Sequence, residues 1–263
     1  MYKFIFLSLI IFLISTLSLS SAYASKSIIG GQLVSSHEVI SKRTVGIFIK
    51  DSIGPAICSG EIIDSSHILT AAHCINGFQS GYVVFSTGNI TNILKTNPNL
   101  GREIISVKAM PGYEGQTSGN GEYSDFSIIT FTGGLVNGYE PAHFLPENIL
   151  LSKLKTSTNI ILAGYGITNS TSQEPGDGWQ GSGFLHKVNV KLIQVGAQKI
   201  DMFLQGQADH ISCTGDSGGP AMIITTGGEY VVGVDSRGNC HDSAIYGIIT
   251  KEMVISFINS VSN

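Results

Sequence analysis

The chain has 263 residues, with 19 Asp and Glu against 15 Lys and Arg and a net charge of −4. At 13% charged and 42% hydrophobic residues it is too apolar for a disordered polymer, and no basic patch marks a nucleic-acid partner. Cys58, Cys74, Cys213 and Cys240 show no C-x-x-C or close Cys/His spacing, so disulfides are preferred over zinc, with three pairings open.

At the amino terminus Lys3 precedes an apolar run from Phe4 to Ile14, continuing with interruptions to Leu19 and ending in Ala22-Tyr23-Ala24. A basic start, an apolar middle and an A-x-A ending make a secretory signal peptide over residues 1–24. The run is shorter than the ~20 residues of a spanning helix, so the reading is a secreted protein, extracellular or periplasmic, with no stable membrane anchor. Ser25 and Ser27 offer a second cut, after Ser27, which would extend the leader to 1–27. The cut after Ala24 is preferred because alanine fits both recognition positions better, and it leaves Ser25–Ser27 as a short propeptide. Removing residues 1–27 from the 263 leaves 236, enough for one large all-β domain or two small fused ones over 28–263. Losing Lys3 and Lys26 moves the net charge from −4 to −6.

Short apolar and β-branched runs follow, separated by polar or glycine-rich turns. They include Val45–Ile49, Gly81–Phe85, Phe126–Phe131, Asn159–Ala163, Lys187–Ile193, Tyr230–Val234 and Ala244–Ile249. Such a series indicates an all-β sandwich or barrel. Asn89-Ile90-Thr91 and Asn169-Ser170-Thr171 fit the glycosylation sequon, which matters only in a eukaryotic secretory route. Asn169–Gly183 is the clearest loop, and its Trp179 reads as pinning its own loop rather than as a surface binding residue. From Thr250 to Val261, Val254, Phe257, Ile258 and Val261 fall at helical spacing, the mark of a terminal amphipathic helix.

Three segments carry chemistry. In Thr214–Pro220, TGDSGGP, Ser217 lies between Asp216 and two glycines. Glycine permits the tight turn from which a nucleophilic hydroxyl projects while neighbouring N–H groups converge on an oxyanion. In Leu69–Cys74, LTAAHC, His73 follows two small alanines, and a neutral imidazole is the usual base for activating a serine. In Tyr123–Ile129, YSDFSII, Asp125 stands at the edge of an apolar strand, a costly place for a carboxylate without a partner.

Together the amino-terminal IIGG at Ile28, TAAHC, the strand-borne SD, GYG at Gly164–Gly166, GDSGGP and the closing helix, in the order His, Asp, Ser, resemble the trypsin-like, chymotrypsin-fold serine endopeptidases. The resemblance implies two six-stranded antiparallel β-barrels with a C-terminal α-helix. It implies Ser217 as nucleophile, His73 as general base and then acid, Asp125 as orienting carboxylate, and an oxyanion hole from the N–H groups of Gly215 and Ser217. It pairs Cys58 with Cys74 and Cys213 with Cys240, while Leu204 stands where the family often has another cysteine. It also implies an activation pair, in which the freed amino group of Ile28 turns inward to Asp216. Because Ser27 rather than Arg or Lys precedes Ile28, either an activating protease removes Ser25–Ser27 or export itself frees Ile28.

The resemblance places the specificity pocket at Ile211, Ser236, Arg237, Gly238 and Ala244. Ile211, at the expected pocket base, disfavours cleavage after Arg or Lys and favours small or medium apolar residues, with acidic residues second. Arg237 replaces a tryptophan that lines the family's cleft, and it reads as a solvent-facing guanidinium neutralised by Asp235 rather than as an acid-binding group. No cofactor or metal is implied, the partners are protein or peptide substrates, and the expected state is a monomer. The alternative is a catalytically silent protease-like binding protein, with a non-protease esterase a further option.

Overall fold

A computed structural model describes residues 28–111, 113, 125–168 and 182–261; the expected signal peptide, Ser25–Ser27, the Asn169 sequon and Trp179 lie outside them. In chain order the first strands are β1 (Gln32–Leu33), β2 (Thr44–Lys50), β3 (Pro55–Ile62), β4 (His67–Thr70), β5 (Ser80–Val84), β6 (Gly101–Ala109) and β7 (Ser127–Phe131). Then come β8 (Asn159–Gly164), β9 (His186–Val195), β10 (Asp201–Gln205), β11 (Pro220–Thr225), β12 (Gly228–Gly238) and β13 (Ser243–Ile248). Helix α1 (Ile90–Thr96) sits between β5 and β6, α2 (Glu147–Lys153) between β7 and β8, and α3 (Lys251–Val261) closes the chain.

Strands β2-β3-β4-β7-β6-β5 form one closed antiparallel barrel. Strands β8-β9-β10-β13-β12-β11 form the second, closed where β8 pairs with both β9 and β11, and β1 adds to the start of β9. These are the two six-stranded barrels and the closing helix that the resemblance implies.

Period-two alternation builds each core. In β2, Val45, Ile47 and Ile49 are buried with Ile62, Ile68, Val83 and Ile129 inside the first barrel. Leu162, Val190, Leu192, Leu204, Val232 and Tyr246 fill the second. A third layer joins the barrels through Leu69, Phe126, Ile128, Tyr165 and Val234, and Val254 and Phe257 of α3 pack into it. Each such side chain contributes about 1.5–3 kcal/mol on burial. The cleft lies where these halves meet.

One irregularity shapes that cleft. The register of β12 against β13 runs from Asp235 opposite Tyr246 to Arg237 opposite Ile245, so Ser236 is the extra residue of a bulge. A bulge bends the strand and re-aims its side chains. Nearby, Asn89 caps α1 by accepting from the Asn92 N–H, and its amide donates to the Ser182 carbonyl. The Asn89 sequon is therefore already engaged in the fold.

Candidate active site

His73 lies on a 3-10 turn, Ala72–Ile75, immediately after β4. The disulfide Cys58–Cys74 ties this turn to β3. Asp125, on the approach to β7, is 1% exposed. One carboxylate oxygen accepts from the His73 backbone N–H at 3.0 Å, and the other meets the His73 Nδ1 at 2.7 Å and accepts from the Ser236 hydroxyl at 2.8 Å. Burial alone would raise the Asp125 carboxyl, but the His73 contacts and the Ser236 hydroxyl outweigh it and hold the group below the usual carboxylate range. A carboxylate on Nδ1 fixes the ring's tautomer and leaves Nε2 to work on a neighbour.

Ser217 lines a cavity together with His73. Its volume is about 280 Å³, and its walls include His73, Ser217, Ser212, Asp235, Ser236 and Arg237. The turn carrying Ser217 depends on left-handed glycines: Gly215 has φ 95° and Gly218 φ 81°. A Cβ on Gly215 would stand 2.8 Å from Gly166 Cα, and one on Gly218 would collide with Thr70 Oγ1 and the Ser59 carbonyl. Among the described residues, neither the Gly215 nor the Ser217 N–H has an acceptor. Two unused donors beside a cavity-lining hydroxyl are what a developing oxyanion needs.

Beneath the turn, Asp216 is fully buried and accepts from the N–H groups of Gly166 at 2.8 Å and Cys213 at 2.9 Å. Burial pushes its carboxyl up to about 7 against the pull of those two donors. Ile28 is also fully buried, within the core cluster of the second barrel, with φ 53°.

A family model described as Trypsin matches residues 28–258. The chain belongs to the trypsin family of serine endopeptidases. It is 26% identical over 222 residues to CLIP domain-containing serine protease B4 of Anopheles gambiae, a match covering 74% of this chain and 58% of that protein. The chain thus spans little more than half of that relative's length. It is 27% identical to Trypsin-1 of Astacus astacus, covering 74% of this chain and 82% of that one. The solved structure of HL collagenase superposes with a TM-score of 0.67 over 89% of this chain and 99% of that one, at 18% identity, a likeness of fold.

Within this trypsin-family chain both disulfides form as the resemblance implied, and Cys213–Cys240 joins two walls of the cavity. The pocket differs from expectation in three respects. Ile211 is not among the residues lining the cavity beside Ser217; it is fully buried and forms an isolated antiparallel bridge with Ile29. Ala244 lines a second cavity with Arg237, Gly238 and Phe203, while Gly238, Ser236 and Arg237 also line the first. Arg237 forms its ion pair with Asp201 at 2.6 Å, not with the Asp235 expected to neutralise it. Asp201 is fully buried on β10, which lies one strand away from β12 because both pair with β13.

Two residues matter that the sequence reading did not assign to the site. Ser59 on β3 donates from its hydroxyl to the Gly215 carbonyl at 3.0 Å, accepts from the Tyr165 N–H at 2.9 Å, and donates its backbone N–H to the Ser217 carbonyl at 2.9 Å. It clamps the serine turn of one barrel to a strand of the other. Asp235 lines the cavity while 4% exposed. Its place next to the recognised Ser236-Arg237-Gly238 was the available signal.

Proposed function

We propose that this chain is a secreted serine endopeptidase working through Ser217, His73 and Asp125. The observation that carries the reading is the 2.7 Å contact of Asp125 with His73 Nδ1 at the wall of the cavity that Ser217 also lines. In this reading His73 Nε2 accepts the proton of Ser217 Oγ as the oxygen bonds to a peptide carbonyl carbon. The oxyanion is received by the N–H groups of Gly215 and Ser217. The tetrahedral intermediate collapses as His73 returns the proton to the leaving amine, and water repeats the sequence on the acyl-enzyme. Asp125 stays ionised and supports the imidazolium, in keeping with the depressed affinity of its carboxyl for a proton.

Activation follows from Asp216. Fully buried, with two N–H donors and no cationic partner among the described residues, it is a carboxyl whose ionisation a nearby ammonium would favour. Cleavage before Ile28 frees such a group, either by removal of Ser25–Ser27 or by export itself. A β-branched residue at φ 53° costs about 1–3 kcal/mol, a strain that exists only while residue 27 precedes it. The expected apolar substrate preference rests on Ile211, which is fully buried beside Ser212 of the cavity wall.

The test is the amino-terminal sequence of the naturally secreted protein, followed by fluorophosphonate labelling and a peptide-cleavage assay on the same sample. Ile28 at the front, stoichiometric labelling of Ser217 and cleavage are expected. Correctly processed protein that neither labels nor cleaves would be the silent binding protein instead.

A further inference from the structure

Asp235 is a buried acid that the triad does not use. It sits on β12 opposite Tyr246 of β13, next to the bulge at Ser236. The Ser236 hydroxyl donates to Asp125, and Asp235 and Ser236 both line the cavity beside Ser217. The same wall holds Ser212, and the hydroxyls of Ser212 and Tyr246 act on the Asp235 carboxyl. The Tyr246 hydroxyl is buried with no hydrogen-bond partner at normal distance.

The charges around Asp235 are mostly of its own sign. Asp216, from the turn before Ser217, and Asp125, from the approach to β7, both oppose its ionisation, and burial opposes it more. Of the cationic or protonatable groups lining the cavity, Arg237 is paired with Asp201 and His73 with Asp125. Among the described residues Asp235 has no ion-pair partner. A carboxyl more than nine-tenths buried, opening into a substrate-sized space and lacking a counter-ion, is a receptor for a cation brought from outside.

We propose that Asp235 is the specificity-determining residue of this cavity and that the cavity receives a positively charged side chain from the substrate residue preceding the cut bond. The proposal rests on the endopeptidase reading above. It reverses the preference expected from Ile211, because the carboxylate comes from the β12 wall rather than from the segment six residues before Ser217. It also links specificity to activation. An ammonium at Ile28 neutralises Asp216, removes one of the charges opposing Asp235, and leaves Asp235 readier to ionise against a substrate cation.

The test uses protein beginning at Ile28 and peptide amides that differ only at the residue before the cut, Lys, Arg, Ala, Leu or Asp, with active sites counted by fluorophosphonate. Lys and Arg are expected to exceed Ala and Leu in kcat/KM by about tenfold or more, and Asp235→Asn to bring that ratio down to about one. A wild-type preference for Ala, Leu or Asp, or a ratio that Asp235→Asn does not move, overturns the proposal. If Asp235→Asn does not fold, Ser217→Ala protein is titrated with benzamidine and with its neutral isostere benzamide. Benzamidine binding about tenfold tighter or better, and tightening as pH rises, supports the proposal; equal binding of the two overturns it. Benzamidine selectivity in wild-type protein that never labels at Ser217 would uphold the pocket and overturn the endopeptidase reading.

Discussion

Asp125 and Asp235 are both buried and both border the same cleft, yet they are held in opposite states. Asp125 is surrounded by donors: the backbone N–H and Nδ1 of His73, and the hydroxyl of Ser236. They keep it charged. Asp235 faces two other acids and has only hydroxyls for company, so burial and the charge of Asp216 drive its carboxyl well above the usual range. Both acids are buried, and it is the partners that differ in kind. One acid has its partners in place, and the other has no ion-pair partner among the described residues.

Breaking the finished partner should cost most. Asp125→Asn keeps the shape but supplies a donor where the His73 ring needs an acceptor, and kcat should fall by about 10⁴-fold, with fluorophosphonate labelling slowed in parallel. Labelling at the wild-type rate would remove Asp125 from the triad.

Asp216 sharpens the comparison through pH. Its folded carboxyl, near 7 against an ordinary 3.8, holds a proton that the unfolded chain has already lost over that interval. In the uncut chain the contribution of this group should therefore be greatest below about pH 4 and fall by on the order of 4 kcal/mol by pH 7. Asp125 has the opposite sign: its folded affinity for protons is depressed, so its contribution is complete above the unfolded carboxylate pKa and lost as pH falls through the lower, folded value. Urea unfolding of Ser217→Ala chains starting at Ser25 and at Ile28 separates the two effects. The Ile28 chain should lack the loss between pH 4 and 7, and equal pH profiles would sink the Ile28–Asp216 pair.

The clamp around His73 ranks next. Cys58 and Cys74 are separated by 16 residues, and replacing both with serine should cost about 3 kcal/mol in a denaturant titration. The smallest effect expected is that of Ser236→Ala. It removes one of the donors to Asp125, and a hydrogen bond to a charged group is worth about 1.5–3 kcal/mol, so kcat should fall by roughly tenfold or somewhat more. A loss as large as that of Asp125→Asn would mean that Ser236 does more than support the carboxylate.

Much of this site was legible before any fold was known. Ser217 announces itself through glycines whose backbone angles few other residues adopt, and His73 through a small-residue approach capped by Cys74. Both signals are local. The strand runs in β2, β5, β7, β8, β9, β12 and β13 were equally plain, because alternating burial imposes a period on neighbouring residues. Asp235 was read as a neutraliser of Arg237, which it is not, because the residue that meets Arg237 is Asp201 on a different strand. Ser59 carried no signal at all: a serine in a strand looks the same whether or not another barrel's turn closes on its hydroxyl.

The sequence by itself determined the family, the two cysteine pairs once that family was recognised, and the three residues of the proposed triad. Those features rest on backbone conformations and chain order that a few adjacent residues specify. Only the tertiary structure decided which acid meets which partner. Pairing of β10 and β12 on either side of β13 brings Asp201 to Arg237, the Ser236 hydroxyl meets Asp125 from β12, and Asp235 lies in the cavity wall. A carboxylate's charge depends on what stands within a few ångströms of it, and those neighbours arrive from distant parts of the chain.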